Sequence, residues 1–181
     1  MDGIGAQLGY PLMVKPSRSG SALGVAKVAD ASDLPASLVA ASAYGPTAVV
    51  ETYIEGTEIA VTVLDEGEGP YALPAIEIIP VSGIYDYESR YTAGATRFVT
   101  PPTLSEASLD AAGALAVAAH RALGLRHLSR IDIIVRDGEP VFLEANVAPG
   151  MTETSLAPLA IEAADRTLGN VFAGLIDLVR N

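Results

Sequence analysis

The sequence contains no cysteine. Disulfides, thiolate nucleophiles and cysteine-based zinc sites are thereby excluded; the absence is compatible with a reducing cytoplasm but leaves the redox compartment open. Positive charge is scarce, with 11 Lys and Arg against 22 Asp and Glu and a formal net charge of -11. That balance argues against a phosphate-backbone binder, so no nucleic-acid partner is expected. Any bound anion must be held locally, and Lys15, Arg18, Arg90, Arg97 and Arg130 are the cations that could hold one. Long apolar runs are missing too: no stretch reaches the roughly 20 residues needed to span a bilayer. The N-terminal MDGIGAQLGYPL has no basic segment followed by an apolar core. The chain reads as soluble, with no membrane partner. There is no internal repeat and no low-complexity tract. The two histidines, His120 in an alanine-rich helix and His127 in a loop, lack partner spacing for metal or general base and read as structural, and no Ser-His-Asp arrangement is visible.

Half of the 181 residues are hydrophobic and 18% are charged, which fits one well-cored domain or two small lobes sharing a core. PLMVKP and GVAKVAD flank the Ser/Gly-rich SRSGSALG and predict a strand hairpin with a flexible tip. Residues 33–44 have helical spacing, with Asp33 as N-cap and Pro35 in the first turn. AVVETYI and EIAVTVLD are strand-like, and YALPAIEIIPV, interrupted by prolines, predicts a strand near an edge or bulge. Residues 82–103 carry no sustained period; a loop of that length is usually functional or disordered. SEASLDAAGALAVAAHRALG predicts a helix capped by Ser105 and stopped at Gly124, and PLAIEAADRTLGNVFAGLIDLVR closes the chain as helix. The series is mixed α and β with mostly antiparallel pairs.

SRIDIIVRDGEPVFLEANV reads as two strands about an Asp-Gly turn. Side chains alternate faces along a strand. A two-residue loop at Asp137-Gly138 would pair Asp132 with Leu143 and mix polar with apolar on both faces. A three-residue loop, 137–139, pairs 131 with 145, 133 with 143 and 135 with 141. One face is then wholly apolar, and the other clusters Arg130, Asp132, Glu144 and Asn146. Two carboxylates and an amide oxygen form a hard-oxygen site suited to Mg²⁺ or Mn²⁺ arriving with a nucleotide. The competing reading is an ion-paired network in which Asp132 and Glu144 flank Arg130. SRSGSALG offers backbone N–H groups of the kind that cradle phosphate, with Lys15 beside it, or is merely a turn. Glu51 and Glu58 bracket YIEGT and could bind a ribose or base, or be solvated strand-end acids. Gly150 in PGMTETS could offer its N–H as an oxyanion donor or simply make a Pro-Gly turn.

Taken together and in order, VKPSRSGSALGV, VVETYIEGTEIAV, IYDYESRY, SRIDIIV and LEANVAPGMTETSLAPL resemble the D-alanine-D-alanine ligase family of the ATP-grasp superfamily, from about Gly9 to the C-terminus. The resemblance implies an α+β ATP-grasp fold, two lobes with largely antiparallel sheets and packed helices. It divides the chain into a partial central lobe, 1–58, and a C-terminal lobe, 59–181, with the metal and substrate site. It implies ligation of two D-alanines by ATP through an acyl phosphate, in cytoplasmic peptidoglycan precursor synthesis. It also favours the metal reading, with Asp132, Glu144 and Asn146 holding two Mg²⁺ (or Mn²⁺) ions against ATP.

On the same resemblance, Lys15 and the 18–24 hairpin hold phosphates. Glu51, Thr52, Tyr53 and Ile54 bind adenine, Glu58 the ribose, and Tyr85 and Arg90 lie over the nucleotide. Arg130 and the Gly150 N–H stabilise the tetrahedral oxyanion, Ser155 and Leu156 bind the second amino acid, and Ser21 and Tyr91 orient substrates and hold the loop closed. Three positions depart from the pattern: Ala22 replaces a serine, Arg90 replaces a lysine and changes donor geometry, and Val147 replaces a threonine. Tyr91 favours an amino acid as second substrate. The family's N-terminal domain and a further phosphate-binding lysine have no counterpart, so the chain is read as an excised fragment or truncated paralogue. It should carry the metal site and part of the nucleotide site, with little or no ligase activity alone. Family members are commonly homodimers.

Overall fold

The computed structural model describes residues 2–180, in two compact units. The first comprises the chain up to Ile54 together with Pro80–Arg97. It begins with helix α1 (Asp2–Leu8), which the sequence pattern did not announce, and continues with β1 (Leu12–Pro16), β2 (Ala26–Val28), α2 (Leu34–Ser42) and β3 (Ala48–Thr52). The strands form an antiparallel sheet in the order β2-β1-β3, with Leu12 opposite both Val28 and Thr52. Alternation along β1 puts Leu12, Val14 and Pro16 into the core and leaves Met13 and Lys15 on the other face. Val28, Leu34 and Ala41 complete that core. Asp33 holds the N-cap position of α2 and Pro35 its first turn, but the Asp33 side chain makes no capping bond. Within 82–103, expected to be irregular, lie the short helix α3 (Tyr87–Tyr91) and a strand, β7 (Thr96–Val99). Asp86 caps α3 by accepting from the Ser89 N–H, a local interaction too short to leave a period in the sequence.

The second unit comprises Glu55–Ile79 and the chain from Phe98 onward. Its elements are β4 (Thr57–Leu64), β5 (Tyr71–Ala72), β6 (Ile76–Pro80), α4 (Glu106–Ala122), β8 (Leu128–Arg136), β9 (Glu139–Asn146), α5 (Leu156–Ala163) and α6 (Leu168–Arg180). The sheet runs β7-β6-β4-β8-β9, with β5 attached to β4. Pro74 splits the expected 71–81 strand into β5 and β6. β6 lies between β7 and β4, one strand in from the β7 edge, near an edge as expected. α4 lays Ala112 and Ala116 against Ile59, Val61, Ile131 and Ile133; each such aliphatic side chain, fully buried, stabilises by about 2 kcal/mol. Ser105 caps α4 through the Ser108 N–H, and Gly124, at φ 63, ends it as expected. The closing helix is two helices, broken at Asp165 (φ 55). Arg166 in the break forks onto Glu66 at 2.7 Å through both terminal nitrogens and donates to the Tyr71 hydroxyl.

The β8–β9 hairpin corrects the expected turn. Arg136 pairs with Glu139, so the loop is the two-residue Asp137-Gly138, both at positive φ as a type I′ turn requires. Ile133 therefore faces Phe142 and Val135 faces Pro140, not 143 and 141. A bulge between Asp132 and Ile133 on this ladder then absorbs Leu143 as an extra residue, and Ile131 meets Ala145 as expected.

Candidate active site

The bulge decides the chemistry of the larger unit. Beyond it, Asp132 pairs with Glu144 and Arg130 with Asn146, so all four polar side chains share the sheet face opposite Ile131 and Ile133. Through the β4 pairing the same face carries Glu58, opposite Ile134. Arg130 and Asp132 are both buried, 7% and 2% exposed. Arg130 Nε donates to Asp132 Oδ1 at 2.7 Å and Nη2 to Oδ2 at 2.8 Å. Asn146 Nδ2 lies 3.2 Å from Asp132 Oδ2 and 3.4 Å from Glu144 Oε1, so one amide joins the two carboxylates. The ion-pair reading is thus realised for Arg130 and Asp132, while Glu144 stands exposed at the edge of the cluster.

These residues fit a hard divalent cation. Asp132 Oδ1 and Glu144 Oε1 each keep a lone pair beyond the hydrogen bond they accept, and rotating the Asn146 amide frees a second one on Asp132 Oδ2 and puts a carbonyl oxygen where the NH₂ stood. The donors are all oxygen, the preference of Mg²⁺ and Mn²⁺. Among the described residues no three His, Asp or Glu converge as a metal-binding group. The protein's share would therefore be two carboxylates and an amide, the small share that magnesium takes when phosphates and water fill the remaining positions.

Gly150 and Ser155 are also brought together: a Cβ on Gly150 would stand 2.8 Å from Ser155 Oγ. Ser155 occupies the N-cap of α5, accepts from the Thr152 N–H at 3.2 Å, and makes no capping bond. The Leu156 side chain is buried, so its N–H in the first turn of α5 is the group it could offer to a ligand.

In the smaller unit, Lys15 Nζ and Glu51 Oε1 form a 2.7 Å ion pair across β1 and β3. Thr52 pairs with Leu12, and Tyr53 just past β3 donates its N–H to the Pro11 carbonyl, carrying the chain on to Ile54. Lys27 Nζ sits 3.7 Å over the Tyr53 ring. Sequence reasoning left Lys27 out of the candidate cations; its pairing with Met13, which shares a face with Lys15, is the signal that would have placed it there. At the hairpin tip Ser21 (φ 57), Ala22 (φ 58) and Gly24 (φ 74) all adopt left-handed backbone, a concave turn rather than an extended flap. Ser21 Oγ and the Tyr91 hydroxyl lie 2.6 Å apart, joining tip and loop. Arg90 stacks on Tyr85 at 4.2 Å, and its buried Nε has no hydrogen-bond partner. An unpaired buried guanidinium N–H costs free energy that an anion would recover. Arg18 and Arg97 are exposed. His120 has a structural role: Nδ1 is 2.8 Å from Ser129 Oγ, in a buried position.

An antiparallel sheet with a glycine-containing hairpin tip, and a second, larger antiparallel sheet with an oxygen-rich cluster on one face, make this an α+β fold of the ATP-grasp class. The chain belongs to the family described as D-ala D-ala ligase C-terminus, whose model matches residues 1–177. A D-alanine--D-alanine ligase of Pelotomaculum thermopropionicum is 41% identical over 173 residues, 95% of this chain and 54% of that protein. One from Cupriavidus pinatubonensis is 39% identical over 99% of this chain and 57% of its own length. Among solved structures, the VanG D-Ala:D-Ser ligase of Enterococcus faecalis superposes with a TM-score of 0.87 at 32% identity, covering 98% of this chain and 52% of that one. A Bacillus anthracis D-alanine--D-alanine ligase complexed with ATP gives 0.79 at 28% identity, over 97% of this chain and 54% of that one. The chain spans about half the length of the curated relatives it matches.

Proposed function

We propose that this chain is the ATP-grasp portion of an ATP-dependent ligase that joins two D-alanines, in cytoplasmic synthesis of a peptidoglycan precursor. The observation that carries the reading is the convergence of Asp132, Glu144 and Asn146 on one sheet face, made by the Leu143 bulge in a chain of this family. Lys15, the Ser21–Gly24 turn and Arg90 would take the phosphates, with the orphaned Arg90 Nε in support. Glu51, Thr52, Tyr53 and Ile54 would take adenine and Glu58 the ribose. The γ-phosphoryl group passes to the carboxylate of the first D-alanine, a transfer governed by positioning and charge neutralisation. The amine of the second D-alanine attacks the acyl phosphate carbonyl, phosphate leaves with the C–O bonding electrons, and the nitrogen gives up a proton.

Asp132 fixes the guanidinium plane of Arg130, which with the Gly150 N–H stabilises the oxyanion of that addition. Ser155 and the Leu156 N–H would receive the second amino acid, and the Ser21–Tyr91 contact would keep the loop closed against water. Two magnesium ions, held by Asp132, Glu144 and Asn146, would supply charge neutralisation at the phosphates.

Calorimetric titration of a non-hydrolysable ATP analogue, with and without Mg²⁺, tests this in wild type, Asp132→Asn and Glu144→Gln. Metal-dependent binding in wild type, weakened at least about tenfold in both variants, is the expected result. A folded wild-type chain that takes no nucleotide, or variants that bind as it does, would reject it. A second reading, nucleotide binding without turnover, is favoured by Ala22, which leaves the phosphate turn without the hydroxyl of the family pattern. Dipeptide formation by this chain alone would exclude that alternative.

A further inference from the structure

The loop that carries Tyr85, Arg90 and Tyr91 is organised around a serine that takes no part in the chemistry above. Ser89 is 4% exposed. Its Oγ lies 2.7 Å from Asp86 Oδ1, 2.8 Å from the Ile84 carbonyl and 3.1 Å from Ser82 Oγ. A hydroxyl has one proton to give, and the ionised Asp86 has none, so the shortest of these contacts is Ser89 donating to Asp86. Ser82, 2.8 Å from the same Ile84 carbonyl, supplies the proton that Ser89 cannot. Asp86 Oδ1 also accepts the Ser89 N–H at 2.9 Å, and Thr96 Oγ1 donates to the Ser89 carbonyl at 2.7 Å. The backbone and side chain of one residue thus tie together the start, the helix and the exit of the loop. α3 is only five residues long, too short to be stable through its own backbone bonds.

We infer that Ser89, with Asp86 as its acceptor, is a positioning residue that holds α3 so that Tyr91 reaches Ser21 and Arg90 stays stacked on Tyr85. The role follows the order of contacts along the chain. Ser82, Ile84 and Asp86 precede the hub, while Arg90 and Tyr91 are the two residues after Ser89 on the same helical turn. Loosening the hub frees both at once. The inference rests on the nucleotide reading of Arg90 and Tyr91 for its consequence, but not for its geometry.

The test compares wild type with Ser89→Ala, Asp86→Ala and Asp86→Ser, the last retaining an oxygen that can cap the helix. Amide hydrogen exchange over residues 82–96 and the affinity for the Mg²⁺-ATP analogue are the two readouts. Exchange of the amides at positions 89 and 92 should rise about tenfold in both alanine variants, with exchange elsewhere unchanged. Affinity should fall about tenfold, and Asp86→Ser should stay near wild type in both measurements. Unchanged exchange in Ser89→Ala overturns the inference, and so does a loosened loop with undiminished affinity. If the wild-type chain takes no analogue, the nucleotide reading fails separately, and the ring resonances of Tyr91 decide. Ser89→Ala should then shift them toward their positions in a Ser21→Ala reference, and unshifted resonances overturn the inference.

Discussion

Ala22 occupies left-handed backbone at φ 58, where an L residue with a Cβ is held at a cost of about 1 kcal/mol relative to glycine. Two effects can be separated there by two substitutions. Ala22→Gly removes the steric cost, and the expected result is a small rise in the urea midpoint, equivalent to at most about 0.5 kcal/mol, once the roughly 0.4–1 kcal/mol of added freedom of glycine in the unfolded chain is deducted. Ala22→Ser keeps the cost but restores the hydroxyl found in the family pattern, so its gain should appear in analogue affinity, roughly fivefold, and not in stability. Gly56 presents the opposite case, because a Cβ there would lie 2.4 Å from the Val135 carbonyl oxygen. The backbone cannot yield as a side chain tip could. Gly56→Ala should lower unfolding free energy by about 2 kcal/mol or more in the same denaturant measurement.

At the scale of elements, the register of β8 and β9 explains what was and was not legible in the sequence. Polar and apolar residues alternate along both strands, which was enough to bring Arg130, Asp132, Glu144 and Asn146 to one face and to pair Ile131 with Ala145. The same pattern cannot say whether the extra residue sits in the turn or in the strand, because either place corrects the register by one. The Asp-Gly dipeptide, at ease with two positive φ values, claims the two-residue turn, and the bulge takes Leu143. Deleting Leu143 should therefore leave the turn intact, close the bulge into a regular ladder and keep Glu144 opposite Asp132 and Asn146 opposite Arg130. The expected outcome is a folded chain whose nucleotide titration still responds to Mg²⁺.

Caps and glycine stops were readable for α4 because they are local. α1, α3 and the break at Asp165 were not, since α3 depends on Asp86 and its loop partners and Arg166 on Glu66, 100 residues away. Lys27 was missed for a related reason: its place beside Tyr53 follows from cross-strand pairing, which no single stretch of sequence states.

For the whole molecule, an excess of 11 negative charges means that acid first relieves repulsion between carboxylates and then removes the particular carboxylates that hold the fold. Two groups give that curve its shape. Burial holds the His120 imidazole below its ordinary 6.5, so the unfolded chain takes up a proton below about pH 6.5 before the folded one does, and stability falls as pH drops through that range. His120→Asn should flatten the thermal-denaturation midpoint between pH 7 and 5.5.

Glu66 acts lower on the scale. Hydrogen bonds from Arg166 and from Tyr71 hold its carboxyl at about 2, against an ordinary value of 4.5. Its contribution is therefore complete above about pH 4.5 and lost as pH falls toward 2. The shift in isolation would correspond to about 3 kcal/mol, but the Glu66 side chain is 27% exposed, and solvent screening reduces this to about 1 kcal/mol. Glu66→Gln should cost that amount at pH 7 and nothing near pH 2, so the two stability curves converge as acid is added. The clasp joins the β4–β5 turn to the α5–α6 break on the larger unit, and curves that remain parallel down to pH 2 would show that its charge contributes nothing to holding them together.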